Sequence, residues 1–308
     1  MSGWSELLRF KPRSQLFVSK ENYRKLRQKD PMKDENARRI LPPKSPVPKY
    51  WSCALVGNSG ILKRAQHGAA IDRHEVVVRL NQAPVEGYEL YAGSKTTYRF
   101  LNFKWTSVYY EDNVANTAVP GGTKQLARYL MNKEQANTTL VVSRASSNMF
   151  ELLAAAQRRR RPDLRSLYLS SRMVSQVRDV LQLFDYQVLH GAGQKAMRAG
   201  EKLTPSTGLL GVFFLLQTCR HVSVYGLSLS PSRLASEMHK EKLQYHYFKK
   251  WADSERLSAH DHHSFDMEGK LLARLADMGV LRLCVTTADR ARDVDCGVQE
   301  EPAWGSRR

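Results

Sequence analysis

The sequence predicts an α/β fold: one Rossmann-like domain with a mostly parallel central sheet flanked by helices. Two observations predict it. From Trp51 onward, short apolar runs alternate with segments whose apolar residues recur at three- and four-residue steps, the order expected of βαβ units. The first of these runs, Cys53-Ala54-Leu55-Val56, feeds a glycine-rich turn, the usual opening of a phosphate-facing βα unit. At 308 residues with 42% hydrophobic side chains, the chain can bury the core that such a sheet needs.

The expected strands are Cys53 to Val56, Glu75 to Leu80, Thr97 to Leu101, Thr139 to Ser143, Ser166 to Leu169, His221 to Tyr225 and Leu281 to Thr286. The expected helices are Lys124 to Asn132, Asn148 to Arg158, Val174 to Phe184, Leu209 to Thr218 and Phe265 to Met278. Arg158 to Arg161 close one helix before Pro162, where cations suit the negative end of the helix dipole. No internal repeat is visible.

Three segments follow from composition. Residues 1–50 carry 13 Lys/Arg against 5 Asp/Glu and end in Leu41-Pro42-Pro43-Lys44-Ser45-Pro46-Val47-Pro48, which reads as a basic stem with a stiff, extended spacer. Residues 51–290 form the expected domain, and residues 291–308 a polar tail. The formal charge of +18 favours anionic partners such as nucleotides, acidic sugars, nucleic acid or a membrane surface, without choosing among them. No window approaches the roughly 18 apolar residues of a membrane span, and Arg9, Lys11 and Arg13 interrupt the N-terminal residues as they would not in a signal peptide. Cys53, Cys219, Cys284 and Cys296 lie far apart with no CxxC spacing, so neither a zinc site nor a redox motif is indicated. Long-range disulfides and buried thiols remain equally open on spacing alone.

The turn Gly57-Asn58-Ser59-Gly60 has two readings. Its glycines let the backbone approach a phosphate, with helix-opening amides beyond; it is also a plain tight βα turn with Asn in a left-handed conformation. The spacing is not GxGxxG and no Walker lysine follows, so dinucleotide and P-loop sites are excluded. Ser206-Thr207 likewise reads either as a ligand-binding loop-to-helix start or as a simple N-cap.

The continuation adds Arg79-Leu80-Asn81-Gln82-Ala83-Pro84 and Gly93-Ser94-Lys95-Thr96-Thr97. Further along stand Pro205-Ser206-Thr207-Gly208-Leu209 with Cys219 and Val224-Tyr225-Gly226, then His246-Tyr247-Phe248, then His263 with Glu268 five positions on. In this order the segments resemble the large, small, third and very small motifs of the sialyltransferases, glycosyltransferase family 29. The resemblance covers about Cys53 to Leu283. Two departures stand out: Tyr91-Ala92-Gly93 where many members have Asp-Val-Gly, and Lys249 where the third motif often ends in an acidic residue.

The resemblance implies a GT-A-variant domain that moves sialic acid, or another CMP-activated 2-keto sugar such as Kdo, to a glycan hydroxyl with inversion. Asn58 and Asn81 would bind the CMP part of the donor, with Ser59 near the phosphate and Gly57 supporting the turn. Ser206, Thr207 and Gly208 would hold the donor's carboxylate and glycosyl portion. His246 would bind or protonate the departing phosphate, and His263 would be the general base; Tyr247 and Glu268 would support them. Imidazole suits the base because it is neutral yet basic near working pH.

No metal or other cofactor is expected beyond the CMP-sugar donor and the glycan acceptor. A single donor phosphate can be met by cationic or imidazole groups, and Asp293-Val294-Asp295, the one Asp-x-Asp, lies in the polar tail. The cluster His260-Asp261-His262-His263 has metal-ligand spacing, but the strand ends supply Asn58 and Asn81 where a metallophosphoesterase would need Asp. A non-catalytic nucleotide or nucleic-acid binder is the competing class. It has no use for two positioned imidazoles, and no aromatic-interleaved basic ribbon is present, so nucleic acid is not an expected partner.

Family members carry an N-terminal membrane anchor, which these residues lack, so the chain reads as the lumenal part of a Golgi membrane enzyme, given either as a truncated sequence or by an incomplete gene model, and the basic stem fits the former. Cysteines at the two motif positions are joined in the family, which implies a Cys53–Cys219 disulfide across about 165 residues. The sequon Asn137-Thr138-Thr139 is compatible with a secretory lumen and makes Asn137 a glycosylation candidate.

Overall fold

The computed structural model describes Leu8, residues 13–24, Leu26, residues 35–114, 133–191, 203–227, 246–248 and 265–284, and Cys296. Seven strands form one sheet: β1 (Tyr50–Val56), β2 (Val76–Leu80), β3 (Tyr98–Leu101), β4 (Thr139–Val142), β5 (Arg165–Tyr168), β6 (Cys219–Tyr225) and β7 (Arg282–Cys284). Their order is β5-β4-β3-β2-β1-β6-β7, and all six pairings are parallel. The expected mostly parallel sheet is therefore wholly parallel among the described strands, and each of its seven strands falls where the apolar runs placed it.

The helices are α1 (Glu35–Ile40), α2 (Gly68–Asp72), α3 (Glu89–Ala92), α4 (Phe103–Val114), α5 (Ser147–Arg160), α6 (Ser171–Gly191), α7 (Thr207–Thr218) and α8 (Phe265–Asp277). A parallel sheet needs cover on both faces, which is why its strands read as continuous apolar runs rather than alternating ones. On one face, α6, α7 and α8 pack on Leu55, Val78, Phe100 and Val141; on the other, α4 and α5 pack on Leu101, Leu140 and Val142. The α7 sequence is apolar on all sides, and 11 of its residues are buried, as befits a helix sandwiched between sheet and neighbouring helices.

The fully buried Arg79 is the exception in β2. Its guanidinium donates to the carbonyls of Gly93 and Lys95 and to the Thr96 hydroxyl, so a charge tolerated nowhere else in the strand ties down the turn before β3.

Helix α4 was not expected. Its residues Phe103-Lys104-Trp105-Thr106 show no clean apolar stripe, but Asn102 caps it: the Asn102 Oδ1 accepts from the Trp105 amide at 2.9 Å. The helix expected over Lys124 to Asn132 lies outside the described residues.

The first fifty residues correct the stem expectation. Leu16, Phe17 and Val18 are wholly buried, Phe17 bridges antiparallel to Leu169, and the Val18 amide donates to the Tyr168 carbonyl. Gln217 donates to the Leu8 carbonyl, and Leu26 and Leu41 join the core that α4 and α5 cover. Lysine and arginine density hid these apolar anchors, which lie singly or in threes between charges. The Pro-rich run follows α1 and returns to the domain: the Phe17 amide donates to Ser45, and Lys20 and Glu21 donate to the carbonyls of Pro42 and Pro43.

Two disulfides are present, Cys53–Cys219 and Cys284–Cys296. The first joins β1 to the junction of α7 and β6, with Cα atoms 6.1 Å apart.

Candidate active site

The strand order reverses between β1 and β6, because β1 to β5 are added outward on one side and β6 and β7 on the other. In open α/β sheets such a reversal opens a crevice beyond the carboxyl ends of the two strands. The turn that leaves β1 there is Gly57-Asn58-Ser59, and the turn that leaves β6 is Gly226-Leu227. They approach so closely that a Cβ on Gly57 would lie 2.2 Å from the Gly226 carbonyl oxygen, and Gly226 itself has φ +63°. Glycine is required at both positions. The Gly57 amide donates to the Tyr225 carbonyl and the Ser59 amide to the Gly226 carbonyl, which locks the two turns together.

The third-motif segment seals one side. Tyr247 donates its amide to the Asn58 carbonyl at 3.0 Å and its hydroxyl to the Pro84 carbonyl at 2.6 Å, and it is fully buried against Tyr88. It thereby holds His246 in a bridge with Ser59, with the imidazole stacked on Phe248 at 5.0 Å. The side-chain oxygen of Asn58 is buried and has no hydrogen-bond partner. A buried amide oxygen left unpaired costs stability and is a group awaiting a donor.

Asn81 leaves β2 in the left-handed conformation, φ 50°. Its Oδ1 accepts from the Asn102 amide at 2.9 Å, and its carbonyl accepts from Arg99, which also reaches the Ala83 carbonyl and pairs with the buried Glu134. The Nδ2 amide is therefore the group of Asn81 able to meet a ligand. Sequence reasoning did not find Arg99, Glu134 or Asn102. Their role depends on three separate segments meeting at one turn.

The small-motif turn lies beside the first one. Leu227 packs between the two: a Cβ on Gly57 would fall 2.6 Å from its Cδ2, and one on Gly208 3.3 Å from the same atom. Ser206 caps α7, its Oγ accepting from the Leu209 amide at 3.1 Å. Both Ser206 donors turn to Glu268: its amide to Oε1 at 2.6 Å, and its hydroxyl to Oε2. With Ser206 so engaged, the amides of Thr207 and Gly208 are the orphan donors of the helix start. Glu268, expected only as a supporting residue, thus positions this turn.

Expected residues Asn58, Ser59, Asn81, Ser206, Thr207, Gly208, His246, Tyr247 and Glu268 all stand at the carboxyl edge of the sheet or at the helix starts beside it. His263, the cluster from His260 to His263, Lys249 and the Asp293-Val294-Asp295 stretch lie outside the described residues.

With this geometry in hand, comparison with known proteins is decisive for the family. The sequence profile of glycosyltransferase family 29 (sialyltransferase) matches residues 4–280. This chain belongs to that family. The match takes in the N-terminal residues that pack on the sheet.

Among curated relatives, human alpha-N-acetylgalactosaminide alpha-2,6-sialyltransferase 2 is 29% identical over 273 residues, 81% of this chain and 64% of the relative. The chicken CMP-N-acetylneuraminate-beta-galactosamide-alpha-2,3-sialyltransferase 1 is 32% identical over 176 residues, 56% of this chain and 43% of the relative. The chain thus spans less than two thirds of these relatives' lengths. The chain is also similar to the beta-1,6-galactosyltransferase GALT29A of Arabidopsis thaliana, 54% identical over 54 residues, 18% of this chain and 14% of that protein. A solved mammalian sialyltransferase in complex with Gal-beta-1-3GalNAc-ortho-nitrophenol superposes with a TM-score of 0.56 at 21% identity, covering 91% of this chain and 93% of that one. The likeness establishes a shared fold. Among the described residues, no helix is long and apolar enough to cross a membrane.

The electrostatics of Glu268 give a first prediction. Burial raises its carboxyl pKa to about 7, against the lowering pull of the Ser206 bonds and of nearby Arg144. A carboxyl that binds its proton more tightly folded than unfolded stabilises the fold at low pH, and loses that contribution as pH rises toward its folded value. Replacing Glu268 with Gln should flatten stability between about pH 4.5 and 7 relative to the parent. Burial lowers His74 to about 4, which contributes the opposite slope in an overlapping window, so the comparison is between variant and parent, each by urea unfolding across pH. Identical slopes in the two proteins would show that Glu268 is ionised throughout.

Proposed function

We propose that this chain is an inverting, metal-independent glycosyltransferase that moves sialic acid from its CMP ester to a hydroxyl of a glycan on glycoprotein or glycolipid. What carries the reading is the switch-point crevice itself, where the turn that bears the unpaired Asn58 oxygen is bridged through Ser59 to His246 and shares Leu227 with the start of α7. Asn58 and the Asn81 Nδ2 would hold the nucleotide, and Ser59 would sit near its phosphate. The Thr207 and Gly208 amides would receive the sugar's carboxylate at the positive end of α7. As the glycosidic bond breaks, positive charge develops on the sugar ring and negative charge on the phosphate. His246 would meet the latter. His263 would take the proton of the attacking hydroxyl from the opposite face, which inverts the anomeric centre.

A related reading keeps the site and changes the sugar. One relative, 54% identical over 54 residues, is named a galactosyltransferase, so the alternative donor is CMP-Kdo or a different nucleotide sugar. Acceptor choice resides in loops rather than in the sheet edge. The disulfides favour a secretory lumen, and the exposed Asn137, in the turn before β4, is accessible for glycosylation there. We place the domain on the lumenal side of the Golgi membrane.

Incubation with CMP-Neu5Ac, CMP-Kdo or UDP-galactose and a panel of acceptors, read as nucleotide release, tests the reading. Release of CMP from CMP-Neu5Ac with an acceptor is expected. The rate should be the same in EDTA as in Mn²⁺, because the strand ends present amides and imidazole where a metal-dependent transferase presents carboxylates. Activity lost in EDTA and restored by Mn²⁺ would overturn metal independence, and turnover of UDP-galactose alone would replace the donor.

A further inference from the structure

One polar side chain at the end of β2 has no part in the mechanism above. Gln82 follows Asn81 directly and is only 5% exposed. Its Oε1 is shut off from solvent and has no hydrogen-bond partner, and among the described residues its Nε2 makes no hydrogen bond either.

The backbone around it is tied on both sides. The carbonyls of Asn81 and Ala83 accept from Arg99, the Pro84 carbonyl accepts from the Tyr247 hydroxyl, and the Ala83 amide donates to the Leu80 carbonyl. Arg99 is held in turn by the buried Glu134. A carboxamide kept out of water without partners loses hydration and regains nothing, and a backbone so fixed denies it relief by a shift of the turn. What Gln82 lacks is a ligand that completes its pairing.

Its place at the sheet edge says which part of a ligand. Val56 of β1 stands beside Arg79 of β2, so Asn58 and Asn81, each two residues further on, leave neighbouring strands at the same level, about 4.8 Å apart by the usual spacing of strands. From the turn after β6 to the turn after β2, the proposed site runs from the start of α7, which takes the sugar, through Ser59, which takes the phosphate, to Asn81 and Gln82. Gln82 therefore stands at the nucleoside end, on the far side of the phosphate from the sugar and from the hydroxyl that attacks it.

Chemistry narrows the choice within the nucleoside. A carboxamide carries a donor and an acceptor side by side in one plane. The edge of a pyrimidine base does the same, with an amino group beside a ring nitrogen in cytosine and a ring N–H beside a carbonyl in uracil. The match is bidentate, as it is for glutamine on adenine. Because the carboxamide can be turned end for end, it fits either pyrimidine. A phosphate offers acceptors alone and would leave the amide oxygen unpaired.

We propose that Gln82 reads the base of the donor nucleotide, its carboxamide pairing with the edge of a pyrimidine. The proposal rests on the CMP-sugar reading for where the nucleotide lies, and the test separates the two.

Wild type, Gln82→Met and Gln82→Leu are titrated by calorimetry with CMP, UMP and ribose 5-phosphate, the last of which carries sugar and phosphate without a base. The wild type should bind nucleotide more tightly than ribose 5-phosphate. Each variant should lose about tenfold in affinity for nucleotide, the worth of two net hydrogen bonds, and nothing for ribose 5-phosphate. In turnover, the same substitutions should raise the donor KM by about tenfold and leave kcat and the acceptor KM unchanged. Both variants should melt at or above the wild-type temperature, because they remove an unpaired buried amide. Unchanged nucleotide affinity in the variants overturns the assignment, whatever their melting temperatures. A loss shared equally by ribose 5-phosphate also overturns it, since Gln82 would then support the turn rather than meet the base. If the wild type binds UMP and not CMP, the CMP-sugar reading fails while the loss of UMP affinity in the variants still decides the role of Gln82. A wild type that binds neither nucleotide more tightly than ribose 5-phosphate overturns the base subsite itself.

Discussion

Reduction of the Cys53–Cys219 bond should abolish activity and cost the protein on the order of 5 kcal/mol of stability. The bond closes a loop with a sequence separation of 166, and the chain-entropy model assigns about that much to a loop of this length, as an upper guide. It also holds β1 against β6, the two strands whose parting would open the switch-point crevice and separate Gly57 from Gly226. The Cys53→Ser, Cys219→Ser double variant should therefore unfold at markedly lower urea and release no CMP. The Cys284–Cys296 bond spans only 12 residues, for which the same model gives about 3 kcal/mol, so its double serine variant should be less affected. Non-reducing peptide mapping of protein from a secretory host, paired with urea unfolding, checks both. Free alkylation of Cys53 and Cys219 in active protein would refute the link and the lumenal compartment inferred from it.

Loss of the general base should be comparably severe for turnover. His263→Ala is expected to lower kcat by about 10² or more while leaving the donor KM within a fewfold, since a positioned base acts on the acceptor hydroxyl as the bond forms. His246→Ala should also lower kcat, because its segment bridges to Ser59 beside the proposed phosphate site. The two differ in rescue. Donors with a better leaving group should recover much of the His246→Ala loss and little of the His263→Ala loss. Near-normal turnover in His263→Ala would end its assignment as base.

The motifs were legible because each packs a local chemical requirement into a few residues. Gly57 and Gly226 must be glycine where two turns touch, and Ser206 must be a capping residue where α7 begins. The strands were legible because a sheet covered on both faces demands continuous apolar runs, as Val76-Val77-Val78 shows. Helix α4 was missed because Asn102, and not an apolar stripe, starts it. The N-terminal residues were misread as a stem because Leu16-Phe17-Val18 is a short apolar patch amid strong positive charge, and its partners Tyr168 and Leu169 lie some 150 residues away.

By itself, then, the sequence determined the α/β class, the seven strands and the turns that leave β1 and open α7. Periodicity and turn chemistry are properties of neighbouring residues, and one sequence contains them in full. Only the tertiary structure decided that Ser206 turns both its donors to Glu268, that Asn81 is held by Asn102 and Arg99, and that Leu227 sits between Gly57 and Gly208. Each of these depends on which strand lies next to which. That order is set by packing the whole sheet, through contacts between residues far apart in the chain, which no local pattern encodes.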